Sequence, residues 1–526
     1  MISQVKGEYL NSFRQAIEKR TLDMDLETTQ YDDTLMVSYL TQNLAKANTK
    51  QLIYMLDLLE NSDNPQMVPQ LLDLLQHKSW EVRLKTLKII NNYDPDPFLS
   101  RVSDMIYDNQ FEVKVRAIQY LLLNTKKSKV MIHALLANTD YKICSAAILA
   151  ASLASRKDTL FREQINFTEL FDNFINQDCI ANLNPQQIIF IKIILIRMIG
   201  ITREEKFYPF LMNLLHEQQL PVLRAAIENA GSTKHEMFIP ILIESVKKTL
   251  VRRQARGALS NYGNAILPYI RDILMDEQSD PRFKYVLPRV LSRINTQEAA
   301  KLSSELLENG ELKFRYFTIK ALNRLRTENP TLRFNIPLIE NIIFEEAENY
   351  YRHLAELIMI KSIEKQQEDS SGLILLEKAL NERIDNTLEK IFRLLGLIYS
   401  PGDIYNAYLA LTSRKIDSNA NAVEFLDNLL NNKLKKHILP IVEFANDNNN
   451  ERIPEINTAV MFNSENEAFN SILADNDSWL KSCLLYYMAC RKLALNDEQT
   501  KLLNNEQDFI VRETLQLYQR QFKQQD

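Results

Sequence analysis

Residues 77–90 read HKSWEVRLKTLKII, and residues 108–123 read DNQFEVKVRAIQYLLL. In each, a short polar turn gives way to an apolar opener followed by a base, Val82-Arg83 and Val113-Lys114, and then to apolar residues at helical spacing. The same opening recurs as Val251-Arg252 in VKKTLVRRQARGAL (246–259) and Leu312-Lys313 in NGELKFRYFTIKAL (309–322). Near the end of the chain it returns as Leu480-Lys481 in DNDSWLKSCLLYYM (475–488) and Val511-Arg512 in EQDFIVRETLQLY (506–518). Positions 82 and 113 stand 31 residues apart, as do 480 and 511, while 251 and 312 stand 61 apart, about two such periods. Self-similarity at this period marks a repeat architecture.

A second apolar helix precedes the opener: PQMVPQLLDLLQH at 65–77, PDPFLSRVSDMIYD at 95–108 and MFIPILIESVKKT at 237–249. Pro65 and Pro95 sit at the helix starts, where a missing N–H leaves nothing unsatisfied. The unit is therefore helix A, tight turn, helix B, and it cannot bury both faces alone, so it stacks on its neighbours. Composition agrees. Nine glycines in 526 residues leave little for phosphate loops, Rossmann turns or β-hairpins, whereas helix–helix turns can use Asn, Asp, Lys and Pro. The reading is all-α: an α-solenoid of stacked antiparallel helix pairs of about 31 residues each.

The unit resembles the HEAT repeat, with an aspartate late in helix A and the V-R pair early in helix B. Asp73 and Asp104 occupy that helix A position, ten residues before Arg83 and Lys114. The resemblance implies that these four form a structural ladder between repeats. A further resemblance rests on EYLNSFRQAIEKRTLDM (8–24), IYMLDLLEN (53–61), LEKIFRLLGLIYSPGDIYNAYLAL (388–411), NAVEFLDNLL (421–430) and DNDSWLKSCLLYYM (475–488). These are similar to the soluble HEAT-repeat region of bacterial proteins that fuse it to an ATP/ADP (NTP/NDP) exchange-type transporter. Some members of that group also carry a cyclic-nucleotide-binding domain. The resemblance implies a regulatory or docking role beside such partners. It does not carry transport activity over, because the residues of the membrane part have no counterpart in this sequence.

Five segments are expected: N-terminal helices at 1–50, a repeat array at 51–330 that is irregular around 156–200, divergent helices at 331–443, a linker at 444–464 and closing repeats at 465–526. The linker expectation rests on FANDNNNERIPEI, dense in asparagine. The apolar run at 188–201 is interrupted by Lys192 and Arg197 and is shorter than a bilayer requires, so a buried helix is expected rather than a transmembrane segment. The polar opening at 1–18 does not read as a secretion signal, and four scattered cysteines fit a reduced, cytoplasmic protein.

Catalytic signatures are missing: the six histidines form no H-E-x-x-H, and there is no G-x-x-x-x-G-K-[ST] or G-x-S-x-G. No enzyme activity, cofactor or metal is expected. The richest surface is basic, with Lys247, Lys248, Arg252, Arg253 and Arg256 in ten residues, and Lys85, Arg116 and Arg315 two or three residues beyond other openers. Arg252 and Arg256 are i, i+4 and share a helix face. These eight are the candidate contacts for an anionic partner. The favoured function is a protein-binding scaffold. An anion- or nucleic-acid-binding solenoid and a HEAT-fold enzyme or lyase-type chaperone stand as alternatives, although a net charge of −5 argues against nucleic acid.

Overall fold

The computed structural model describes residues 48–60, 63–175, 183–276, 278–308, 312–364, 371–412, 416–446, 462–504 and 506–523. Every regular element among them is a helix. The expected N-terminal helices fall outside these residues up to position 47, and so do residues 447–461 of the expected linker, whose first residues belong to a helix ending at Asn446. The chain divides into two compact units, Met1–Leu242 and Ile243–Asp526.

The first unit holds α1 (Thr49–Leu58), α2 (Val68–Leu74), α3 (Trp80–Ile89), α4 (Leu99–Asp104), α5 (Phe111–Asn124), α6 (Ser128–Leu136) and α7 (Tyr141–Lys157). It continues through α8 (Thr159–Gln164), α9 (Phe167–Ile175), α10 (Pro185–Thr202), α11 (Tyr208–Leu214) and α12 (Leu220–Thr233). Local chemistry fixes where helices begin. Asn48 and Asn184 each form a capping box with a glutamine three residues on, accepting from the Gln51 and Gln187 amides at 3.0 Å. Contacts run in succession through α1, α3, α5, α7, α10 and α12, while α2, α4, α6 and α11 pack against α3, α5, α7 and α12. The openers Val82 and Val113 point into the seams between these helices and are fully buried.

Helix α10 is long and apolar enough to cross a membrane by length and composition. Here it packs between α7 and α12, with Lys192 paired to Glu217 and Arg197 to Glu112 at 3.0 Å. Gly200 makes that packing close: a Cβ there would lie 2.8 Å from Cβ of Asn229 on α12.

Helix α13 (Ile239–Lys247) spans the boundary between the units. The second unit then contains α14 (Arg252–Ser260), α15 (Leu267–Met275), α16 (Pro281–Lys284), α17 (Leu287–Ile294), α18 (Gln297–Glu308), α19 (Leu312–Glu328), α20 (Ile336–Glu364) and α21 (Ser371–Ile398). After these come α22 (Pro401–Thr412), α23 (Ile416–Leu429), α24 (Asn432–Asn446), α25 (Glu465–Ala474), α26 (Ser478–Cys490), α27 (Asp497–Asn504) and α28 (Phe509–Lys523). Again there is a succession, α14, α17, α19, α21, α26, α28, each touching the next. Helices α22 to α24 are an excursion: α22 leans on α21 and α24 on α20, after which α25 and α26 return onto α20 and α21. A buried polar clasp holds that return. Glu356 on α20 accepts from Ser471 Oγ at 2.6 Å, and Arg352 Nη2 donates to Asp475 at 2.8 Å.

The turns explain how so few glycines suffice. Arg203, Lys234, Asn295 and Lys492 take the left-handed conformation that usually selects glycine, with φ of 55° to 58°.

Candidate anion-binding surface

The repeated base has a consistent task. The last carbonyls of helix A have no partner within the helix, and a cation over that end is favoured by their aligned dipoles. Arg83 donates through Nη1 to His77 O at 2.7 Å, Arg252 through Nε to Val246 O at 2.9 Å, and Arg512 through Nε to Glu506 O at 2.7 Å. In all three the carbonyl lies six residues before the base. Lys114 does the same work two residues further back, reaching Ile106 O at 3.4 Å from a buried position.

A second contact joins a base to an acid further along the chain. Arg83 grips both carboxylate oxygens of Asp108 at 2.7 and 2.8 Å, Lys192 pairs with Glu217, and Lys481 meets Glu506 at 2.6 Å. Each acid stands 25 residues after its base. Asp73 and Asp104, expected in this ladder, are exposed instead and pair with neither base. They are exposed on their helices, whereas the acids that pair lie between helices, within reach of a base 25 residues earlier in the chain.

Of the eight candidate contacts, several are already engaged. Lys85 pairs with Asp57, Arg116 donates to Gln119 Oε1 at 2.7 Å, and Arg315 binds Glu345 at 2.8 Å. Lys85 and Arg116 belong to the first unit and Arg315 to the second. Lys247 is held by Glu244 at 2.6 Å and lies over the Phe283 ring, while Lys248 is exposed. Arg252 is tied to its two carbonyls, with Lys247 O at 3.1 Å the second.

Arg253 and Arg256 remain. They are i, i+3 on α14, Arg253 exposed and Arg256 half-buried, with the Arg256 Nε enclosed and without a hydrogen-bond partner among the described residues. Two arginines from the next stacked helix join them. Arg289 and Arg293 are i, i+4 on α17, Arg289 lying 5.3 Å over the Phe317 ring. Arg293 Nη1 stands 3.5 Å from where a Cβ on Gly257 would be, so it lies against α14. Burial, and then the charges of Arg289, Arg293, Arg252 and Arg253, push the Arg256 guanidinium below its ordinary value. No acid pairs with Arg253, Arg256, Arg289 or Arg293 among the described residues. Like charges at this spacing cost a few tenths of a kcal/mol per pair, and an unsatisfied buried donor costs about 1–3 kcal/mol. Arg289 and Arg293 escape a reading of the sequence because they lie more than 30 residues beyond Arg256, and only the stacking of α17 on α14 brings them in.

Nothing among the described residues groups three or more His, Cys, Asp or Glu in a metal-holding arrangement. No family model matches the chain, and no curated protein does. Among solved structures, an engineered protein aligns with 68% of this chain and 98% of its own at 14% identity, with a TM-score of 0.23, a likeness too slight to argue from. The resemblance to HEAT repeats and to a transporter-linked region therefore stands on the quoted residues alone.

Proposed function

We propose that this chain is a HEAT-type α-solenoid, a non-catalytic scaffold that docks a protein partner on the arginine face of α14 and α17. The observation that carries the reading is that face: guanidiniums on two stacked helices, unpaired with any acid among the described residues, while the neighbouring Arg252, Arg271, Arg315 and Arg324 are engaged. The repeated base-to-carbonyl contact at six residues and base-to-acid contact at 25 residues support the hairpin stack. In such a stack successive helices present one continuous surface, and recognition is set by what that surface displays. A chain of net charge −5 has no general pull on anions, so attraction must be local.

The resemblance nominates a membrane transporter as partner, so the test draws on both cytosol and solubilised membranes of the native cell. The full chain and an Arg253→Glu/Arg289→Glu variant, both changes at exposed positions, serve as bait in quantitative affinity capture. A protein retained by the parent chain, lost with rising salt and depleted by more than about tenfold in the variant is the expected result. A captured set that is the same for both baits removes this face as the docking site.

A further inference from the structure

We propose that Arg253, Arg256, Arg289 and Arg293 together form a receptor for a phosphoryl group carried on a side chain of the protein partner. This rests on the docking reading above and narrows it to one ligand chemistry. Four unneutralised guanidiniums converge from two adjacent helices, with Arg256 in their midst and its Nε enclosed and unpartnered. A carboxylate offers one charge and two oxygens. A phosphoryl group offers nearly two charges and three strong acceptors, which matches several convergent planar donors far better. Arg289 and Arg293 are also braced, one over the Phe317 ring and the other against Gly257, so little side-chain freedom is lost when an oxygen arrives.

The surroundings favour a single phosphoryl group over a nucleic-acid backbone. Elsewhere on α13 to α19 most of the described long cations are occupied, Lys247 by Glu244, Arg271 by Glu305, Lys284 by Leu274 O, Arg315 by Glu345, Lys320 by Glu389 and Arg324 by Glu328, while Lys248 and Lys301 are exposed. A polymer needs a run of free cations along its path, and here the unengaged arginines among the described residues of α13 to α19 are confined to α14 and α17.

The test uses the full chain and a fluorescent degenerate phosphoserine peptide pool, its unphosphorylated counterpart, inorganic phosphate as competitor, and a labelled single-stranded RNA, all at matched ionic strength. The phosphorylated pool should bind, and phosphate should displace it. Arg256→Gln/Arg293→Gln and, separately, the exposed Arg289→Gln should weaken binding, the double change by at least about tenfold, through loss of charge-assisted hydrogen bonds. Circular dichroism of each variant checks the fold, and Arg289→Gln keeps the test open should the double variant misfold. Equal binding of the two pools, binding unaffected by the variants, displacement of nothing by phosphate, or RNA bound more tightly than the peptides would each overturn the proposal. If the capture experiment still loses its partner in Arg253→Glu/Arg289→Glu while the phosphorylated pool does not bind, docking stands and the phosphoryl ligand falls.

Discussion

Glu506 does three things at once. Its carboxylate accepts from Lys481 at 2.6 Å and from the amides of Gln507 and Asp508 at 2.9 and 3.0 Å, while its carbonyl receives Arg512 at 2.7 Å. Burial pushes the acid up, but the Lys481 contact and the amide bonds outweigh it and leave it below its ordinary value of 4.5. A carboxylate held down in the folded chain stabilises at pH above its unfolded value, and that contribution disappears as the pH falls through the folded one. Glu506→Gln should therefore cost about 0.5–1 kcal/mol at neutral pH, in the range of partly exposed pairs, and progressively less below pH 4.5, where the parent chain loses the same contact. Urea midpoints of both chains across that range check it, and a constant gap at all pH values would contradict the assignment. The regularity was open to reading beforehand, since Asp108, Glu217 and Glu506 each follow a base by 25 residues. Spacing alone does not say which way a side chain leaves its helix, and so Asp73 and Asp104 offered themselves equally well.

At the scale of helices, the two glycines of α21 make opposite demands. A Cβ on Gly372 would lie 2.9 Å from the Tyr487 Cα of α26, a backbone atom that cannot rotate away. On Gly396 its nearest neighbours are Asn323 Oδ1 at 3.4 Å and Pro401 Cα at 3.7 Å, ordinary contact distances. Gly372→Ala should destabilise by about 1–3 kcal/mol through overpacking. Gly396→Ala should stabilise by about 0.5–1 kcal/mol, because alanine is the better helix former. Thermal melts of the pair give the signs directly, and equal shifts would mean that α21 and α26 do not approach as described. Helix existence was legible from periodicity, from Asn48 and Asn184 as caps, and from the openers, of which Val82, Val113, Val251, Leu480 and Val511 are all buried. The excursion of α22 to α24 was not. Amphipathic spacing says that a helix has an inner face, but α25 choosing α20 as its neighbour depends on side chains far apart in sequence, such as Arg352 and Asp475.

For the molecule as a whole, the two tryptophans report separately, Trp80 in the first unit and Trp479 in the second. Arrays in which each layer touches only its neighbours lose all-or-none cooperativity as they lengthen. Trp80→Phe and Trp479→Phe chains, each left with one reporter, should give urea transitions with different midpoints, and superimposable curves would show one cooperative body instead. The scarcity of glycine has a consequence on the other side of the folding equilibrium. Closing helices with Arg203, Lys234, Asn295 and Lys492 strains each bend by about 1–2 kcal/mol. Yet a denatured chain with nine glycines in 526 residues wanders through fewer backbone states, so less disorder is surrendered when it collapses. Local discomfort at four corners is thus set against a narrower random coil.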